Sequence, residues 1–340
     1  MNEHPPLLTR QANRNGWLVY SVLSTFLLIL SVTVNVILVV ALISTVVEQP
    51  QKYQEHFVTG DSSADDKVAV IYLTGVISYQ MDGHVSQEGM VGDIKGQLQQ
   101  ALNDEDVQAI ILRINSPGGE VVASDAIYRA LAEARGQKPI VASIETVGAS
   151  GAYYAALGCS HIMANDLTVT GSIGVIMNTF SFGDLMGKVG IKAHTFKSGN
   201  FKDILNPARE PTEAEQEIVR DMIMEVYDKF VKIVAEERKM TVADLQSKNL
   251  VDGRIFSGTN ASNLGLVDSL GDFDDAVDTA MSLAGIGDAR VVRYQVPFSL
   301  AQIFGMRAPA KTAQIQVNLG PQPPSLEAGK MYFLPAYMFQ

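Results

Sequence analysis

The chain has 340 residues, 47% of them hydrophobic, and a formal net charge of −11. That is enough apolar material for one large domain or two modest ones, and the acidic balance argues against a partner held by its phosphates. The single cysteine, Cys159, excludes an intrachain disulfide framework and a cysteine-rich zinc site, and five scattered histidines with no H-E-x-x-H pair argue against a metal.

From Trp17 to Val47 there is no charged residue and no proline. This run is longer than the roughly 20 residues that span a bilayer. A cleaved signal peptide has a shorter apolar core followed by a small-residue site. No alanine occurs between Ser44 and Gly60, so an uncleaved anchor is expected. Arg10 and Arg14 precede the run, while Glu48, Lys52 and Glu55 follow it. The positive-inside rule then gives a single-pass protein with residues 1–16 in the cytoplasm, a transmembrane helix at 17–47 and the remainder outside the cytoplasmic membrane.

Residues 48–66 are polar and read as a tether. Alternation begins at Lys67, giving one domain expected over 67–306. "KVAVIYLTGVI" is strand-like, and "MVGDIKGQLQQALND" has helical spacing at Ile94, Leu98 and Leu102. "VQAIILRINS" reads as a buried strand ending in a turn at Pro117-Gly118-Gly119, and "EVVASDAIYRALAEARG" as a helix stopping at Gly136. "KPIVASIE" is a strand and "SGAYYAALG" a short helix. Apolar strands alternating with helices predict an α/β fold whose sheet is mainly parallel with flanking helices. The longest soluble helix is predicted after Pro211, with a capping box at Thr212 and Glu215. Its stripe of Val219, Met222, Ile223, Val226, Phe230, Ile233 and Val234 reads as a core or subunit contact. "FDDAVDTAMSLAGIG" and "ARVVRYQVP" add a helix and a strand. The proline-bearing tail, 307–340, reads as irregular.

Four stretches could carry chemistry. In "ETVGASGAYYAALGC", Ser150 sits among small residues between a strand and a helix, with the Gly151 amide at the helix start. A serine nucleophile needs a base and donors for its oxyanion. Ala152 occupies the last position of the G-x-S-x-G elbow, so that motif is not met. "INSPGG", Ile114–Gly119, offers bare amides at a strand end, and "TVTGSIGVI", Thr168–Ile176, is rich in hydroxyls and glycine. Each alone is more often an ordinary turn. "FKSGNFKD" offers Lys197 and Lys202. A lysine becomes a base when burial lowers its pKa from about 10.4 toward 7. The apolar neighbours Phe201, Ile204 and Leu205 could supply such a pocket at Lys202, but spacing does not choose between the two lysines.

"INSPGG", "GASGAYYAA", "TGSIGVI", "FKSGNFKDILNPARE" and "RIFSGTNASNLGLVDSLG", in this order, resemble the signal peptide peptidase A family in its short bacterial form. The resemblance runs from about Lys67 to Pro297. It implies the Clp-protease/crotonase fold and a serine–lysine endopeptidase of the bacterial inner membrane. Ser150 would be the nucleophile, Lys202 the base, Ser172 the hydroxyl that orients the lysine, and the Gly118 and Gly151 amides the oxyanion donors. The family acts on remnant signal peptides without a cofactor. Its short forms assemble as octameric rings in which neighbouring subunits contribute serine and lysine. Ala152 stands where the family commonly has a second glycine. The glycine-rich turns also suggest a groove for extended peptides with small apolar residues at the scissile bond. The rivals are a serine–histidine pair with His161 or His194, a non-catalytic ring-forming scaffold, and a crotonase-type acyl-CoA enzyme, which the membrane anchor disfavours.

Overall fold

The computed structural model describes residues 14–47, 53–80, 89–295 and 331–333. The chain divides into two units, Met1–Lys52 and Tyr53–Gln340. In the first, helix α1 (Arg14–Val47) includes the stretch Val19–Leu38, with mean hydropathy 2.2 and none of it buried. A helix apolar on every side has no solvated face, and this one is long enough to cross a bilayer. The N-terminal residues before Arg14 lie outside the described residues.

The second unit opens with strands β1 (Gln54–Gly60) and β2 (Lys67–Ile77), helix α2 (Gly89–Asn103), strand β3 (Val107–Glu120) and helix α3 (Val121–Ala134). Next come β4 (Ile140–Ala149), α4 (Gly151–Ala156), β5 (His161–Ala164), β6 (Val169–Gly171) and α5 (Gly183–Lys188). The long helix α6 (Glu213–Glu237) leads to α7 (Val242–Ser247), β7 (Ile255–Ser257), α8 (Gly258–Asn263), β8 (Ser269–Leu270), α9 (Phe273–Ala284), β9 (Arg290–Gln295) and β10 (Tyr332–Phe333).

The main sheet runs β1-β9-β2-β3-β4-β5-β8. All its neighbours are parallel except β1 on β9. Alternate residues enter two cores. Ile71, Leu73, Leu112, Ile114 and Ile144 pack on one face with Ile94 and Leu98 of α2 and Ile127 and Leu131 of α3. Val68, Val70, Ile111 and Val141 pack on the other with Ala276, Val277 and Ala280 of α9. Burial on both faces is why these strands read as unbroken apolar runs. The capping box forms as expected, with Glu215 N–H donating to Thr212 Oγ1 and Thr212 N–H donating to Glu215 Oε2 at 2.8 Å. Replacing Thr212 with alanine should cost about 1 kcal/mol, readable as a lower denaturant midpoint.

Three expectations differ from the structure. Residues 54–60, read as part of a tether, form β1 on the edge of the sheet. An edge strand with a solvated side is polar by sequence, and this one is anchored by Tyr53, whose amide and carbonyl pair with the Gln100 side chain. The turn at Pro117-Gly118-Gly119 is instead the end of β3. There a side chain on Gly119 would stand 2.0 Å from the Ile77 carbonyl oxygen, so glycine serves close strand approach and not chain reversal. The tail contributes β10 at Tyr332–Phe333, and the rest of 296–340 apart from Met331 lies outside the described residues.

Candidate active site

Ser150 joins β4 to α4 with φ 54° and ψ −115°. A non-glycine residue seldom adopts such angles, and holding one there costs about 1–3 kcal/mol. Three backbone contacts hold it. Ala149 pairs with Gly171 of β6, the Ser150 N–H donates to the Gly171 carbonyl at 2.7 Å, and the Tyr154 N–H donates to the Ser150 carbonyl at 2.8 Å. The Ser150 side chain is buried, and its Oγ has no hydrogen-bond partner among the described residues. A buried hydroxyl left unpaired is destabilising, so the fold spends stability to present this oxygen. The turn thus has the shape of a nucleophile elbow although Ala152 replaces its last glycine.

The end of β3 forms the facing wall. Gly118 has φ +105°, and a Cβ there would lie 2.6 Å from the Gly151 nitrogen and 3.0 Å from the Ala149 oxygen. The Gly119 nitrogen lies 3.1 Å from where a Gly151 Cβ would stand. The end of β3 therefore lies against the start of α4 next to Ser150. The Gly118 N–H donates to Ser116 Oγ at 3.2 Å. As an oxyanion donor it would have to give up that bond. Gly118→Ala should lose most activity and about 1–3 kcal/mol of stability, from backbone strain alone; paired activity and denaturation curves check both.

Ser172 follows Gly171 directly, with φ 52° and its N–H donating to the Arg254 carbonyl at 2.8 Å. The topology thus gathers Ser150, Gly118, Gly151 and Ser172 from the ends of β4, β3, α4 and β6. Lys202 is not gathered with them. It is exposed in a run of turns, and Ser150 Oγ receives no bond from it. Phe201 beside it is 48% exposed, so no apolar pocket closes around the lysine among the described residues.

The segment carrying Lys202 is nevertheless ordered by charge. Lys197 Nζ bonds Asp203 Oδ1 at 2.6 Å, and Arg209 bridges Asp203 at 3.1 Å and Glu215 at 2.6 Å. The Arg209 guanidinium, with Lys197 second, holds the Asp203 carboxyl well below the usual range, and Arg209 likewise holds Glu215 down at about 2. This chain of ion pairs ties the lysine's turn to the start of α6. It also commits Lys197 to a carboxylate, which suits a structural cation and not a base. Of the two histidines, His161 Nε2 pairs with Ser269 Oγ at 2.8 Å, and His194 is exposed. Neither bonds Ser150.

Two features escape a reading of the sequence. Ser116, a buried residue just before the glycines that end β3, looks like any strand serine. Phe333 packs against Tyr154 and Phe230, and a short apolar run broken by Pro335 in a proline-bearing tail has too little period to be read as a strand.

The model of "Peptidase family S49" matches residues 132–287. A provisionally named protease of Methanocaldococcus jannaschii is 37% identical over 238 residues, covering 69% of this chain and 76% of that protein. One of Synechocystis, also provisionally named, is 40% identical over 230 residues, covering 68% and 79%. A protein of Enterococcus faecium, provisionally named signal peptide peptidase SppA, is 32% identical over 238 residues, covering 69% of each chain.

Proposed function

The chain belongs to peptidase family S49, and from that premise we propose that it is a membrane-anchored serine endopeptidase whose nucleophile is Ser150 and whose base is Lys202 of a neighbouring copy. The observation that carries this reading is the strained, buried Ser150, whose Oγ has no hydrogen-bond partner among the described residues, at the junction where the glycines ending β3 meet the start of α4. Ser150 Oγ attacks a peptide carbonyl, and the Gly151 amide with that of Gly119 or Gly118 stabilises the oxyanion. The lysine takes the serine proton and returns it to the leaving amine. Ser172, beside Gly171, orients the lysine by its hydroxyl.

A second copy is invoked because Lys202 meets nothing at Ser150 in its own chain. The surface around it suits association. Phe180, Phe182, Leu185, Ile191 and Phe196 are all more than half exposed, and Met222 on the first half of α6 is 45% exposed. Apolar surface of this extent is what subunits cover. Burial there would also desolvate Lys202 and free it to act as a base. A ring, octameric by family resemblance, follows this logic.

The apolar length of α1 supports an anchor in the cytoplasmic membrane, and family resemblance supports remnant signal peptides as substrates. Fluorophosphonate labelling tests the nucleophile: native protein should be labelled and Ser150→Ala should not. Equal labelling of both would remove Ser150 from the reaction. Topology has its own test. Protease added outside spheroplasts should digest the domain that starts near Tyr53, whereas protection until lysis would reverse the orientation.

A further inference from the structure

We propose that a cavity on the face of the sheet covered by α9 binds a small aliphatic amine in its ammonium form. The cavity has a volume of about 350 Å³ and is lined by β4, by the turn after β5 and by the start of α9. That volume is at the small end of ligand sites. Ser150 is no part of the lining.

Side chains on a strand alternate between faces. Val141 of β4 enters the core beneath α9, so Ser143 and Glu145 point the same way and meet the cavity. Two residues of its wall are polar, buried and unsatisfied. Ser143 is 4% exposed and Thr168 is 1% exposed. Neither hydroxyl has a hydrogen-bond partner among the described residues. A buried hydroxyl left unpaired is destabilising, and each one in a native fold calls for a reason. At Ser150 the proposed chemistry supplies the reason. Ser143 and Thr168 line a separate cavity, and a ligand there would supply theirs.

The charges around these hydroxyls select the ligand. Glu145 accepts from Arg113 Nε at 2.7 Å and from its Nη2, both on Oε1, and no donor reaches Oε2 among the described residues. The Arg113 guanidinium also lies 4.4 Å from the centre of the Phe273 ring. Asp272 accepts the Asp274 and Asp275 amides on Oδ1 as the cap of α9, and its second oxygen receives no bond there. An anion entering the cavity would meet two carboxylates, a guanidinium already paired and helix amides already capped. An ammonium group is a donor three times over and needs no donor itself. The wall offers it hydroxyl and carboxylate oxygens, and bonds from a cation to a carboxylate are the stronger kind. Arg113 offsets one of the two carboxylates, which leaves a single negative charge for a single ammonium. The Phe273 ring and Leu167, a lining residue that is 83% exposed, suit a short hydrocarbon stem.

The position ties this cavity to the rest of the fold. β4 runs from it to Ser150, and the turn at Thr168 leads straight into β6, which ends beside Ser172. A bound amine would hold the roots of both strands against the start of α9 and stabilise the folded chain by mass action.

Calorimetric titration of the full-length protein in detergent with butylammonium chloride, followed by thermal melts of the same samples, tests this. Native protein should bind one equivalent per chain and melt several degrees higher at saturation. Butan-1-ol, of the same length but uncharged, should do neither. Glu145→Gln can still accept the Arg113 bonds, and Asp272→Asn still caps α9. Each removes one charge from the cavity and should weaken binding by about tenfold or more. Ser143→Val, which replaces the unpaired hydroxyl with a methyl group, should weaken it as well. Ser150→Ala should bind as native protein does. No binding by native protein would overturn the inference. So would equal binding of butan-1-ol, which would mean that the cavity does not read charge. Binding undiminished in both Glu145→Gln and Asp272→Asn would reduce the effect to diffuse attraction by an acidic surface and overturn it too.

Discussion

Ser150→Ala should abolish peptide hydrolysis and leave the fold intact, and the protein should become more stable. The loss follows from removing the hydroxyl proposed as nucleophile, at the junction of β4 and α4 beside the glycines that end β3. The gain follows from its surroundings. Ser150 is buried and its Oγ unpaired, and deleting such a group relieves about 1–3 kcal/mol of desolvation cost. The backbone strain at φ 54° remains, because alanine also has a Cβ. For a domain of this size each kcal/mol moves the melting temperature by about 2–4 °C. Activity and thermal melts of the same preparation should therefore move in opposite directions, as at a site where function has been bought with stability. A pure Ser150→Ala protein that still hydrolyses peptides would end the serine mechanism. A variant that melts earlier would mean that the Oγ has a partner in solution.

The alternation of strands and helices was legible because it comes from local periodicity. β2, α2, α3 and α9 each carry their core-facing spacing in a dozen residues or so. Strand ends were harder to read. β3 continues through Pro117-Gly118-Gly119 because its neighbours bond that backbone, a tertiary cause that outweighs local turn preference. The same holds for β1, a polar segment made a strand by β9. The candidate site divides along this line. Ser150 and the glycines stand out as small-residue runs at strand ends, and topology alone brings those ends together. Lys202 is exposed and apart from these ends, and β10 comes from a segment far along the chain with almost no pattern of its own.

Lys202 gives the second large effect. A lysine accepts a proton from serine only when it is neutral, whereas a guanidinium stays charged at any working pH. Lys202→Arg should therefore be inactive by several orders of magnitude in kcat, with its fold intact because the position is exposed in a single chain. Lys197→Arg should keep most activity, since an arginine can maintain the ion pair to Asp203. Arg209→Ala should lower kcat severalfold without unfolding the domain, because it cuts the link from Asp203 to α6 that orders the lysine's turn. The proposed sharing of the site between copies makes the sharper demand. Ser150→Ala subunits lack the nucleophile and Lys202→Ala subunits lack the base, so each homo-oligomer is dead. Mixed rings contain junctions where an intact Ser150 meets an intact Lys202, and these should recover a fraction of native activity that rises and falls with the mixing ratio. Verified mixed rings with no recovery would return both groups to one chain, which must then move the Lys202 turn toward Ser150. An active Lys202→Arg would cost more: it would remove the lysine base and send the search back to His161, now held by Ser269, or to the exposed His194.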